Sequence, residues 1–187
     1  MTTAMTWMNG KLRVIQGDIT TLEVDAIVNA ANHSLMGGGG VDGAIHRAAG
    51  AELKTACQAL RREQWPDGLP DGEVALTPGF NLPARHVIHT VGPVYAKTID
   101  KSELLANCYR RSLALAEQQG LHTVAFPAIS TGVYGYPFDQ ACDIVIRVMA
   151  EKLPHGELTV TLCFFSQKDM EAFRHVASRL GYQRDRS

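Results

Sequence analysis

Short apolar runs alternate with longer amphipathic stretches along the chain, and this alternation is typical of a layered α/β domain. Most of the short runs are continuously apolar, as expected for strands of a sheet that helices cover on both faces. The pattern therefore predicts a central sheet between two layers of helices. The predicted strands are residues 12–16, 26–30, 73–77, 86–90, 123–126 and 158–165.

The amphipathic stretches carry apolar residues three and four positions apart, which predicts helices whose inner faces pack on the sheet. Proline suits the first position of a helix, a serine cap suits its start, and glycine suits its end. We assign no chemistry to the apolar stripes. The predicted helices run from near Gly43 to about Gln64 with a break at Gly50, from Ser102 to just before Gly120, from Pro137 onward, and from the Ser166 cap to Gly181.

The composition changes this picture little. The 187 residues suffice for one substantial core and are few for two domains. A net charge of −1 gives no bulk attraction to nucleic acid or to an anionic membrane, so an anion site would have to be built from backbone amides.

The cysteines and the N-terminal segment indicate a compartment. The four cysteines are scattered without a Cys-x-x-Cys pair, so we expect buried small hydrophobic side chains in a reducing environment. Residues 1–10 lack the features of a signal peptide, and no apolar run approaches the length of a membrane span. We therefore expect a cytoplasmic protein with no membrane contact.

Four consecutive glycines, residues 37–40, connect a predicted strand to a predicted helix. Glycine tolerates a positive φ and has no side chain, so backbone amides can turn toward a ligand close to the chain. The helix N-terminus adds unpaired N–H groups and the positive end of its dipole. This glycine loop suits a diphosphate, although a flexible loop without a ligand is the alternative.

A second loop, residues 126–137, has the same character, because it follows an apolar strand and leads into the helix at Pro137. It offers hydroxyls, backbone donors and two tyrosines at the edge where α/β sheets bind ligands. A tight turn with packed tyrosines is the alternative. Two phosphate-type loops in one domain of this size predict a ligand with two linked phosphates.

The polar side chains near the glycine loop allow more than one interpretation. Asp42 has an N-cap-like position, so it either caps the helix or takes part in chemistry. His46, one turn later, fits a packed or surface histidine. No Gly-Lys-Ser/Thr and no Gly-x-Ser-x-Gly is present, which excludes a P-loop and a nucleophile elbow. The histidines lack metal-ligand spacing, so we expect no metal and no cofactor.

These motifs resemble those of macrodomains, and more narrowly the MacroD-type branch close to bacterial O-acetyl-ADP-ribose deacetylases. The resemblance spans residues 11–182 and is carried by residues 16–20, 28–32, 37–46, 89–93 and 127–136. It implies a three-layer α/β/α fold with a central mixed, mostly parallel sheet of about six strands. It also implies a single macrodomain over residues 1–187. His33 departs from the residues usual at its position.

The resemblance also implies roles for individual residues. Asp18 and the Ile19 amide match the adenine-binding pair, and Phe165 matches the aromatic that packs on adenine, although a one-residue shift would give that role to Phe164. Asn32 matches the asparagine that binds the distal ribose, and Asp42 matches the catalytic aspartate. The residues that match the two loops around the diphosphate and distal ribose are Gly37, Gly38, Gly39, Gly40, Val41, Ser130, Thr131, Gly132, Val133 and Tyr134.

Three functions follow as hypotheses from the resemblance. The first is a hydrolase that deacetylates O-acetyl-ADP-ribose and removes mono-ADP-ribose from acidic side chains of proteins. The second is a reader that binds ADP-ribose without turnover; the pair Asn32 and Asp42 favours the enzyme, because binding-only macrodomains commonly lack one or both. The third is an RNA or poly(ADP-ribose) module, and the near-neutral charge argues against a broad nucleic-acid surface.

Overall fold

The protein, described over residues 4–186 of a computed structural model, is built around a mixed seven-stranded sheet. In space the strand order is β1-β2-β7-β6-β3-β5-β4. The inner pairs are all parallel, whereas β1 pairs antiparallel with β2 and β4 pairs antiparallel with β5. The strands are β1 (Met5–Trp7), β2 (Leu12–Gln16), β3 (Ala26–Ala30), β4 (Val74–Pro78), β5 (His86–Thr90), β6 (Thr123–Phe126) and β7 (Thr159–Phe164).

In the described part of the chain, five α-helices cover the two faces of the sheet, which confirms the predicted three-layer α/β architecture. The first two pack on one face and the other three on the opposite face. Within residues 4–186, no helix is long and apolar enough to cross a membrane. The helices are α1 (Gly40–Ala49), α2 (Ala51–Glu63), α3 (Ser102–Gln118), α4 (Phe138–Lys152) and α5 (Gln167–Arg179).

Strand β3 shows how one sheet supplies two cores. Ile27 packs with Ile45 of α1 and Leu53 of α2, whereas its neighbour Val28 belongs to the cluster that contains Leu105 of α3. Successive side chains of a strand point to opposite faces, so a continuously apolar strand is needed where helices cover both. The four cysteines are likewise buried and free, as the sequence predicted.

The structure corrects three details of the prediction. Strand β1 was not predicted, because three residues give no periodic signal, yet Trp7 is buried there against Phe173. Helix α1 begins at Gly40 rather than near Gly43, since the Gly43 amide already donates to the Gly39 carbonyl. Pro137 is the N-cap residue that precedes α4, and the helix itself begins at Phe138. The predicted break at Gly50 is confirmed by its φ of 91°.

Candidate active site

The predicted site residues meet at one edge of the sheet. Strands β2, β7, β6, β3 and β5 run parallel, so the segments that follow them emerge side by side along the carboxyl edge. Asp18 follows β2, Phe165 follows β7, Ser130 follows β6 and Asn32 follows β3. Three strand spacings of about 4.8 Å separate the first of these positions from the last by about 14 Å. The edge therefore presents an elongated row of sites.

The glycine loop lies directly against the start of α1. A Cβ on Gly43 would lie 2.3 Å from the Gly38 carbonyl oxygen, so only glycine permits this close approach. Gly37 and Gly40 have positive φ values of 92° and 59°. Gly39 and Gly40 are exposed, and a Cβ on either would meet no atom within 4 Å, so a ligand can approach the backbone of this turn closely.

The loop after β6, residues 130–134, is held at both ends by backbone hydrogen bonds. The Ser130 carbonyl accepts from the Tyr136 amide at 2.9 Å, and the Tyr134 carbonyl accepts from the Tyr95 amide at 2.9 Å. Ser130 is buried with a φ of 67°, a conformation costly for a residue other than glycine. Val133 at the tip is fully exposed. The loop is thus a fixed turn with an open outer surface.

Asp18 and Phe165 form what we call the exposed end of the site. The Asp18 Oδ1 accepts from the Thr20 amide at 3.0 Å and from the Thr20 hydroxyl at 2.7 Å, and so caps a short 3₁₀ turn that starts at Ile19. Its Oδ2 takes part in none of the hydrogen bonds found among residues 4–186. Phe165 is 75% exposed, whereas Phe164 is 6% exposed and packs on Phe173. Of these two phenylalanines, Phe165 is therefore the one that presents an aromatic face to solvent.

The side chain of Asn32 makes hydrogen bonds that stabilise the glycine loop and the segment before it. Its Nδ2 donates to the Gly37 carbonyl at 2.9 Å, and its Oδ1 accepts from the Ser34 hydroxyl at 2.7 Å and the Leu35 amide at 3.1 Å. A Cβ on Gly38 would lie 3.4 Å from the Asn32 Nδ2 and 3.4 Å from the Asp42 Oδ2. Asn32 and Asp42 therefore flank the same point of the glycine loop.

Asp42 is a buried carboxylate, and the structure corrects the position that the sequence suggested. It lies inside α1, whose cap is Gly39, and it caps nothing. Its Oδ1 accepts from the Asn29 Nδ2 at 2.9 Å and lies 3.5 Å from the His46 Nε2. Burial raises the pKa of Asp42, while the Asn29 hydrogen bond and His46 partly oppose that rise. One oxygen is thus anchored, and the other faces the loop.

The polar groups behind Asp42 were only partly recognised from the sequence. Asn29 is fully buried on β3, and its cross-strand neighbour on β5 is His89, also fully buried. In the sequence, Asn29 and His89 lie within the matched motifs 28–32 and 89–93, but neither receives an individual role there. Together with Asn32 and Asp42, these two residues form what we call the buried end of the site. Two polar residues at paired positions inside apolar strands were the available signal.

Comparisons with known proteins show which family the chain is similar to. The macro domain profile matches residues 28–145. A macro domain-containing protein of Ralstonia nicotianae is 53% identical over 165 residues, which cover 87% of this chain and 91% of that relative.

Solved structures are similar over most of the chain. The macrodomain of Oceanobacillus iheyensis, solved with ADP, superposes with a TM-score of 0.87 at 46% identity over 90% of each chain. A Trypanosoma brucei macrodomain, solved in complex with ADP-ribose, gives a TM-score of 0.77 at 39% identity over 88% of this chain and 68% of that one. The chain therefore belongs to the macro domain family, as its motifs implied.

Proposed function

We propose that this protein binds ADP-ribose along the carboxyl edge of its sheet and hydrolyses esters carried by the distal ribose. The observation that carries the proposal is Asp42, a buried carboxylate with one oxygen anchored by Asn29 and the other directed at the glycine loop. Related macrodomains that contain ADP or ADP-ribose support the choice of ligand. The substrates we infer are O-acetyl-ADP-ribose and proteins mono-ADP-ribosylated on glutamate or aspartate.

The order of sites along the edge matches the order of groups in ADP-ribose. Adenine fits the exposed end, where Asp18 has an oxygen that can accept from the exocyclic amino group and Phe165 offers an aromatic face. The diphosphate fits between the glycine loop and the Ser130 loop, which follow the adjacent strands β3 and β6. The distal ribose then lies beside Asn32 and Asp42.

Backbone amides suit the diphosphate better than basic side chains would in this chain. The net charge is −1, so long-range attraction of an anion is weak. Amides at a helix N-terminus bind phosphate at short range without needing a positive side chain. Gly39 and Gly40 leave that approach open because neither carries a side chain.

Asp42 can position a water molecule and accept its proton. The water oxygen forms a bond to the acetyl carbonyl carbon, and one water proton passes to the Asp42 Oδ2. The bond between that carbon and the ribose oxygen then breaks, and the ribose oxygen takes the proton back from Asp42, which releases ADP-ribose and acetic acid. The acid keeps the second water proton and loses it to solvent as acetate. The raised pKa of Asp42 makes it a stronger base than an exposed aspartate, and fixed orientation adds to this effect.

The decisive experiment offers purified protein O-acetyl-ADP-ribose and, separately, a protein mono-ADP-ribosylated on glutamate. We expect release of ADP-ribose from both substrates, and we expect Asp42→Asn to lower kcat by about 100-fold or more while calorimetry shows a similar Kd for ADP-ribose. Asp67→Asn, a change at an exposed loop carboxylate, is the matched control. Binding without release of product by the unaltered protein would make it a reader.

Oxygen-18 water identifies the atom that is attacked on the protein substrate. Attack on the ester carbonyl carbon places the label in the glutamate carboxylate. Attack on the anomeric carbon places it in the released ADP-ribose.

A further inference from the structure

A chain of buried hydrogen bonds runs from β4 to Asp42. The Thr77 Oγ1 lies 3.0 Å from the His89 Nε2, and the His89 Nδ1 lies 3.2 Å from the Asn29 Nδ2. The same Asn29 nitrogen lies 2.9 Å from the Asp42 Oδ1. All four side chains are buried, and they come from β4, β5, β3 and α1 in turn. The chain thus crosses three adjacent strands and ends at the proposed catalytic carboxylate.

The partners fix the direction of each bond. An amide nitrogen carries two hydrogens, so Asn29 can donate one to Asp42 and the other to His89 only if the His89 Nδ1 has a free lone pair. The reverse orientation of Asn29 would place its oxygen against a carboxylate oxygen. His89 must therefore carry its proton on Nε2, where the Thr77 hydroxyl oxygen accepts it.

We infer that Thr77 and His89 are positioning residues that hold Asn29, and through it Asp42, in the orientation needed for hydrolysis. This inference rests on the proposed function of Asp42. Neither residue touches the cleft, since both are buried between the sheet and the first two helices. Thr77 fixes the tautomer of His89, and that tautomer fixes the orientation of the Asn29 amide.

The imidazole of His89 is neutral in this row of hydrogen bonds. Burial, with a smaller contribution from His46, lowers the pKa of His89 to about 3, so its imidazole stays neutral. The other titratable groups near Asp42 are His46 on α1 and Cys57 on α2, whose pKa is raised to about 12 mainly by burial. Since His89 stays neutral and the hydroxyl of Thr77 and the amide of Asn29 are not acids or bases at ordinary pH, this row of hydrogen bonds transmits orientation to Asp42 and carries no proton to it.

The test uses the isosteric change Thr77→Val, with Thr77→Ser as the variant that keeps the hydroxyl. Without that oxygen, the His89 Nε2–H keeps only the Cys57 Sγ at 3.9 Å, a weak acceptor, which favours the other tautomer and turns a donor toward the Asn29 amide. We expect Thr77→Val to raise the pKa of Asp42, which carbon-13 NMR of the carboxyl carbon measures. We also expect a loss of kcat of about 10-fold to 100-fold, an unchanged Kd for ADP-ribose, and recovery of both properties in Thr77→Ser.

Nitrogen-15 NMR of the unaltered protein reads the His89 tautomer without any variant or substrate. A neutral imidazole protonated on Nε2 from pH 5 to pH 8 supports the inference. Protonation on Nδ1, a charged ring, or a Thr77→Val protein with the Asp42 pKa and kcat of the parent would overturn it. If the parent hydrolyses no ester, the proposed function fails. The His89 tautomer and the effect of Thr77→Val on the Asp42 pKa still decide whether the row of buried hydrogen bonds exists.

Discussion

The two ends of the site are built in opposite ways. At the exposed end, Phe165 is largely in solvent and Asp18 is held only by its own short turn. At the buried end, Asp42 is 5% exposed and is connected to Asn29 and His89 inside the core. The exposed end has the surface that recognition needs, and the buried end has the rigid, desolvated carboxylate that catalysis needs.

This difference suggests that affinity and turnover can be changed separately. In the proposed complex, groups at the exposed end would contact parts of the ligand that do not react, so they would stabilise the ground state and the transition state equally. A group at the buried end acts where the bond breaks and should alter kcat. The predictions below test this division, beginning with the largest expected effect.

Gly43→Ala should damage the buried end most. The added Cβ would lie 2.3 Å from the Gly38 carbonyl oxygen, so the glycine loop and the start of α1 must shift relative to each other, which changes the surroundings of Asp42. We expect the free energy of unfolding to fall by about 1–3 kcal/mol and kcat to fall by up to about 100-fold. Urea unfolding and turnover measure the two effects.

Gly39→Ala is the stability control for this change, because its Cβ would meet no atom within 4 Å and its backbone is extended. A Gly43→Ala protein as stable and as active as the parent would show that the loop has another way to pack.

Asp18→Ala should weaken ADP-ribose binding by about 1–3 kcal/mol, the usual loss for a hydrogen bond to a charged partner. We expect kcat at saturating substrate to change little. Because Asp18 also caps the turn at Ile19, Asp18→Asn is the sharper variant: its oxygen can still accept from the Thr20 amide. Calorimetry that gives an unchanged Kd for both variants would remove Asp18 from the adenine site.

Phe165→Ala should weaken binding by about 1 kcal/mol or somewhat more, through loss of stacking on adenine. Since the side chain is 75% exposed, the free energy of unfolding should hardly change. Phe164→Ala is the contrasting variant, and we expect it to destabilise the buried core by about 3–5 kcal/mol. If Phe164→Ala raised the Kd for ADP-ribose and Phe165→Ala did not, the adenine contact would belong to Phe164.

Asp42→Asn should make the protein slightly more stable at pH 7. The raised pKa of Asp42 means that the folded state disfavours the ionised carboxylate, so the parent loses stability as the pH rises through that pKa. The amide avoids this cost and can still accept from Asn29. The advantage should shrink as the pH falls and vanish below the ordinary value of 3.8. Lower stability of the variant in urea at pH 7 would contradict this.

Both loops were accessible to sequence reasoning because consecutive glycines and a helix start are local signals, read within a few residues. At the exposed end, Asp18 and Phe165 were implied only by the family resemblance. The buried end was less accessible, because the contacts of His89 depend on the pairing of β5 with both β3 and β4. The place of Phe165 also needed the structure, since a shift of one residue turns a strand side chain to the opposite face.

The central claim is tested most directly by a crystal structure of the Asp42→Asn protein with O-acetyl-ADP-ribose. We predict adenine between Asp18 and Phe165, the diphosphate between the glycine loop and the Ser130 loop, and the ester within hydrogen-bond reach of residue 42. A nucleotide bound in the reverse direction, or outside the two loops, would contradict the account.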